Sequence, residues 1–196
     1  LRVTDFEDLR ALLHGRTPLF DAPEGVPQAA VALLIAEFER RRELLLIRRA
    51  ERAGDPWSGH MALPGGRREA HDPDLFDTAL RETAEEVGVD LRRALHLGGL
   101  DDLRPVTAPA RVVVRPFVFA MSGRPDLALS DEVARVVWAP LDELARSRST
   151  TEVFHQGALR TMPCYRVGED IVWGMTQRIL EPFVEGWRVR NARSES

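Results

Sequence analysis

Apolar and polar positions alternate along this chain in short blocks whose spacing predicts an element at a time. Phe6 to Leu13 reads as a short amphipathic helix, and a connection rich in proline and glycine follows from Pro18 to Pro27. Ala29 to Phe38 and Glu43 to Arg48 are apolar, β-prone runs joined by a charged turn at Arg40 to Arg42, the pattern of a hairpin. A loop spans Glu51 to Gly59 and leads into a short strand at Met61-Ala62-Leu63, with Pro64-Gly65-Gly66 read as a turn. A helix is predicted from about Asp74, closed by Gly88. Strands are then predicted over Leu95 to Leu100, Val112 to Ala120 and Val133 to Trp138. A short helix over Pro140 to Ala145 starts with proline. Tyr165-Arg166-Val167 and Ile171-Val172-Trp173 form a hairpin turning at Gly168 to Asp170, and a final helix runs from about Gly174 to Val184. Strands and helices mix without strict alternation, so the expectation is an α/β or α+β sandwich with helices on both sides of a mixed sheet. Residues 1–28 are expected to be an N-terminal helix and linker, 29–187 a single domain, and 188–196 a frayed tail.

Composition narrows the class. The 196 residues are 44% hydrophobic and 30% charged, as in an ordinary soluble domain, and no apolar run has the length of a membrane span. No signal-peptide pattern opens the sequence, and a single cysteine, Cys164, leaves no internal disulfide; a cytoplasmic location and no membrane partner are expected. A net charge of −4 gives no footprint for nucleic acid. All 27 basic residues are arginine, so any anion held by side-chain cations is held by arginine or histidine.

The candidate chemistry sits in the helix after Gly66. Arg81, Glu82, Glu85 and Glu86 fall within one and a half turns, and Glu82 faces both other glutamates. Like charges at that spacing destabilise a helix, and a divalent cation would convert the penalty into a binding site. Oxygen ligands of this hardness favour Mg2+ or Mn2+ over zinc.

The stretch from Gly66 to Val89 resembles the signature of the Nudix hydrolases, enzymes that cleave a diphosphate bond linked to another group. Gly66, Arg81, Glu82, Glu85, Glu86, Gly88 and Val89 match. Asp72 stands where the family has its first glutamate, eight residues rather than seven separate it from Arg81, and Thr83 takes a usually apolar position. The Asp and the extra residue resemble the coenzyme A diphosphatase subgroup. Before the signature, Leu45, Leu46, Arg49 and Gly59 match that subgroup, whereas Ile47, Ala50, Gly54 and Leu63 depart from it, leaving Arg52 to serve for the missing arginine. The segment from Tyr165 to Thr176 is also similar, so the resemblance covers about Ala29 to Val184.

The resemblance implies an α/β/α sandwich and a metal-dependent diphosphatase acting on a small nucleotide. Glu82, Glu85 and Glu86 would hold the cation, Glu86 and Glu82 innermost, with the Gly65 carbonyl and Glu132 as further ligands. Arg81 would orient the glutamates, and the general base is left open among the three. Arg49, Arg52 and His60 are candidates for substrate phosphates, and Trp57 and Trp173 for a nucleobase. Asp101 and Asp102 are expected to be surface acids. Coenzyme A, cleaved to 3′,5′-ADP and 4′-phosphopantetheine, is the leading substrate. ADP-ribose, another dinucleotide or a nucleoside triphosphate is the alternative, and a non-catalytic nucleotide-binding regulatory module is the reading from another class. A homodimer is compatible with the family.

Overall fold

Two neighbouring strands are apolar on both faces because each face meets a separate core. The computed structural model describes residues 6–14, 17–21, 25–54, 57–105, 112–155 and 157–194. After a first helix α1 (Glu7–Leu13), these strands are β1 (Gln28–Phe38) and β2 (Arg41–Arg49). Ala30, Ala32 and Leu34 of β1, with Leu45 and Ile47 of β2, pack under the helix that carries the glutamates. Leu33 and Ile35, with Leu44 and Leu46, face the opposite core. This is the period-two alternation of a strand, buried on both sides.

Along the chain follow β3 (Met61–Ala62), β4 (Gly65–Arg67), α2 (Leu75–Val87), β5 (Leu95–Gly99), β6 (Val113–Ser122), β7 (Val133–Pro140) and α3 (Leu141–Arg146). The chain closes with β8 (Arg148–His155), β9 (Ala158–Val167), β10 (Asp170–Trp173) and α4 (Gly174–Ser194). The main sheet has seven strands in the order β3-β2-β1-β6-β5, with β4 beside β1 and β7 beside β2. It is mixed, since β1 and β6 run parallel while the other pairs are antiparallel. Helix α2 covers one face; α1, α3 and α4 cover the other. The expected α/β/α sandwich is the observed one.

The hairpin of β1 and β2 pairs only from Ile35↔Leu44 to Phe38↔Arg41, and segment 61–67 enters where they part. Met61 and Ala62 pair with β2, Gly65 to Arg67 pair with β1, and the Ala32 amide donates to the Pro64 carbonyl at 2.8 Å. The Gly-Gly pair expected to turn is therefore a strand, because β1 offers it an open edge to bond.

Three further readings change. Strand β8 and β9 up to Cys164 were not anticipated; the two strands form a hairpin in continuous register from Arg148↔Tyr165 to His155↔Ala158. Asp102 is not a surface acid: its side chain is 1% exposed and accepts from Arg115 Nε and Nη2, each at 2.8 Å. The same carboxylate accepts from the Asp21 amide at 2.9 Å, and Asp101 accepts from the Leu19 amide, so Leu19 to Asp21 lie along this loop. Phe6 and Leu9, at the start of the described residues, are fully buried in the core under the sheet. Helix α4 continues past Val184 to Ser194. Among the described residues no helix is long and apolar enough to cross a membrane.

Candidate active site

Helix α2 is fixed at both ends. Asp74 caps its start, Oδ1 accepting from the Phe76 and Asp77 amides at 2.8 and 3.0 Å, and Gly88 closes it in the left-handed conformation. Gly88 also lets the next loop approach, since a Cβ there would lie 2.8 Å from Ala128 Cβ. The Ser130 amide donates to the Glu86 carbonyl at 3.0 Å and the Ala50 amide to the Glu132 carbonyl at 2.8 Å, which carries Glu132 to the same end of the sheet. Thr83, at a usually apolar position, is buried with its hydroxyl donating to the Ala79 carbonyl at 2.7 Å, so the polar atom is satisfied inside the helix.

The two glycines of β4 set the distance between α2 and the sheet. At Gly65, φ is 149° and a Cβ would overlap the Ala30 carbonyl and approach Val31 Cα to 2.6 Å. At Gly66 a Cβ would overlap the Glu82 carboxylate. The Gly65 amide donates to Glu86 Oε2 at 2.8 Å. Thus Glu82 and Glu86 reach the bare backbone of Gly65-Gly66, one by contact and one by hydrogen bond.

Arg81 ties the rest together. Nε and Nη2 fork onto Asp72 at 2.9 Å each, Nη2 also donates to the Arg67 carbonyl at 3.0 Å, and Nη1 donates to Glu82 at 3.0 Å and Glu85 at 2.9 Å. Asp72 is buried and further accepts from the Glu69 amide and the Thr78 hydroxyl. The hydrogen bonds from Arg81 hold its carboxyl well below the usual carboxylate range, against the opposing effect of burial. The extra residue before Arg81 thus accompanies a shorter acid that still reaches the guanidinium.

Glu86 is 4% exposed, and burial pushes its carboxyl up to about 7; the Gly65 amide and Arg49 oppose this, while the charges of Glu82 and Glu132 add to it. Glu82 is shifted upward chiefly by burial as well. Glu85 is the most exposed of the three glutamates. Among the described residues no three acidic, histidine or cysteine side chains already converge as a cation cage. Arg81 holds Glu82 and Glu85, and the Gly65 amide holds Glu86. The donor set nevertheless fits a hard divalent cation: burial and neighbouring acids raise the proton affinity of Glu82 and Glu86, which positive charge relieves, and the bare glycines let both carboxylates come up to the backbone.

Arg49 lies within electrostatic reach of Glu86. Arg52 Nη1 donates to Glu132 at 3.1 Å and Nη2 to Asp131 at 3.3 Å. The His60 carbonyl accepts from the Arg49 amide at 3.0 Å, and its ring packs 5.0 Å from that of Trp173. Trp57 is exposed. Sequence reasoning did not single out Arg68 or the groove beside it, and none of the three glutamates lines that groove. Arg68 donates to the Asp72 and Pro73 carbonyls, and a groove of about 450 Å³ is lined by Gly25, Val26, Gln28, Arg68, Glu69 and Ala70. Its position next to the signature was the one signal available.

The family profile of the NUDIX domain matches residues 26–161. An uncharacterized protein of Schizosaccharomyces pombe is 41% identical over 116 residues, 56% of this chain, and the match spans 35% of that longer protein. The human mitochondrial coenzyme A diphosphatase NUDT8 is 33% identical over 178 residues, covering 88% of this chain and 73% of that one. A MutT/nudix family protein from Enterococcus faecalis superposes with a TM-score of 0.58 at 20% identity, over 97% of this chain and 70% of that one. The NUDIX domain of Shewanella oneidensis NrtR, solved with ADP ribose, superposes with a TM-score of 0.51 at 22% identity, over 74% of this chain and 88% of that one.

Proposed function

The chain belongs to the Nudix family and is a hydrolase of diphosphate bonds, and from that premise we propose that its substrate is coenzyme A or a derivative. The products are 3′,5′-ADP and 4′-phosphopantetheine. The observation that carries the substrate is the likeness to a coenzyme A diphosphatase over most of both chains. The aspartate and the extra residue of the signature, held in register by Arg81, support the same subgroup.

Nudix hydrolases generally use divalent cations, and here the ion is Mg2+ or Mn2+ held by Glu82 and Glu86, with Glu85, Glu132 and the Gly65 carbonyl as further donors. When bound, such an ion supplies positive charge against the diphosphate oxygens. The Gly65 amide orients Glu86, and Arg81 orients Glu82 and Glu85. Arg49 and Arg52 receive the remaining phosphate charge, which suits a planar guanidinium. His60, beside Trp173, borders the site.

Glu86→Gln tests the site. The amide oxygen can still accept from Gly65, so the thermal midpoint should hold, while turnover with Mg2+ should fall by at least about 100-fold. Activity near wild type in a folded variant would remove Glu86 from the chemistry. The half-kept sequence before the signature, with Gly54 in place of an arginine, favours a second reading in which ADP-ribose or another nucleotide is cleaved. The nucleotide product separates the two.

A further inference from the structure

Two arginines on this side of the sheet are committed to buried acids. Arg81 forks onto Asp72, whose side chain is 3% exposed, and Arg115 forks onto Asp102 at 1%. Arg52 differs. It makes one hydrogen bond to each of two exposed acids, Glu132 and Asp131, and is itself half-exposed. Single contacts of that kind, in water, are weak and exchangeable. Its position is nonetheless fixed: the Arg52 amide donates to Ser58 Oγ at 2.8 Å, and the adjoining Ala50 amide bonds the Glu132 carbonyl. The ladder between β2 and β7 ends beside it, at Arg49↔Val133. The charge of Glu132 is in turn felt by both Glu82 and Glu86.

We propose that Arg52 is an exchangeable counter-ion: it holds Glu132 until a divalent cation takes that carboxylate, and the released guanidinium then meets the phosphates of the substrate. The proposal rests on the metal site given above and adds a coupling between the two ligands. Cation and anionic substrate each favour the arrangement in which Arg52 has left Glu132, so each strengthens the other's binding.

The test is direct binding of Mn2+, without substrate and at low ionic strength, to the wild type and to Arg52→Gln, Glu132→Gln, the double variant and Glu86→Gln. Arg52→Gln should bind Mn2+ about threefold more tightly, because the competing cation is gone. That gain should vanish in the Glu132→Gln background. With Mn2+ saturating, Arg52→Gln should bind ADP about threefold more weakly. Unchanged or weaker Mn2+ binding by Arg52→Gln overturns the exchange. So does a gain that survives Glu132→Gln, since it would reflect the general field of one arginine. Undiminished ADP binding removes the phosphate role. Loss of Mn2+ binding in Glu86→Gln alongside a null result for Arg52→Gln leaves the metal site standing without the exchange; full Mn2+ affinity in Glu86→Gln overturns the metal site itself.

Discussion

Gly65 and Gly66 are adjacent and chemically identical, yet they resist substitution for different reasons. A methyl at Gly65 meets the backbone of β1, which cannot move without disrupting the sheet, whereas a methyl at Gly66 meets the far end of one flexible side chain, Glu82. Gly65→Ala should therefore cost about 3 kcal/mol in urea unfolding. Gly66→Ala should cost less than about 1 kcal/mol yet lower kcat/KM by about tenfold or more, because Glu82 is pushed aside. Equal stability losses in the two variants would contradict this division. Asp72 and Arg81 make a second test. Removing the acid by Asp72→Ala strands a largely buried guanidinium and should cost about 3 kcal/mol. Its folded carboxyl lies below its unfolded value, so the stability it adds is complete above about pH 4 and drains away only as pH falls further toward the folded value. The stability gap between wild type and Asp72→Asn should be full at pH 6 and narrow below pH 4, as urea midpoints across that range would reveal. The signature residues announced the Gly-Gly pair and Arg81 in the sequence. Which glycine touches which glutamate was hidden, because it depends on how closely α2 lies on β1.

Among the elements, α2 was legible nearly to the residue. Its caps are local chemistry, and Asp74 and Gly88 stand where the helix begins and ends. The β8–β9 hairpin was not legible, for a physical reason. Phe154 and Leu159 are paired across it and are 77% and 62% exposed, so its apolar positions near the tip face solvent and do not mark a buried strand face in the sequence. The same contrast predicts stability. Leu80, buried between α2 and the sheet, should cost about 3 kcal/mol as Leu80→Ala, while Phe154→Ser should change stability by less than about 0.5 kcal/mol. Chemical denaturation of both variants checks the pair; a large loss at Phe154 would mean that the hairpin is packed against something in solution.

At the scale of the whole molecule, the layered sandwich followed from apolar runs that mix with helical segments, and the strand count was close. The order of strands was not available from pattern alone. The parallel pairing of β1 with β6 joins residues 85 apart, as in Ala32↔Phe117, and the insertion of 61–67 between β1 and β2 follows from a hairpin that opens toward one end. That opening is what lets Gly65-Gly66 lie flat on β1 beneath the glutamates of α2, so fold and site share one cause. The reading of the chain as a coenzyme A diphosphatase is tested most directly by product analysis. The purified protein with Mg2+ is offered coenzyme A, ADP-ribose, NADH and ATP at equal concentration, and the products are identified by mass. 3′,5′-ADP and 4′-phosphopantetheine should dominate, and a chelator should abolish both. Preferential cleavage of another substrate, or cleavage that persists without a divalent cation, would contradict it.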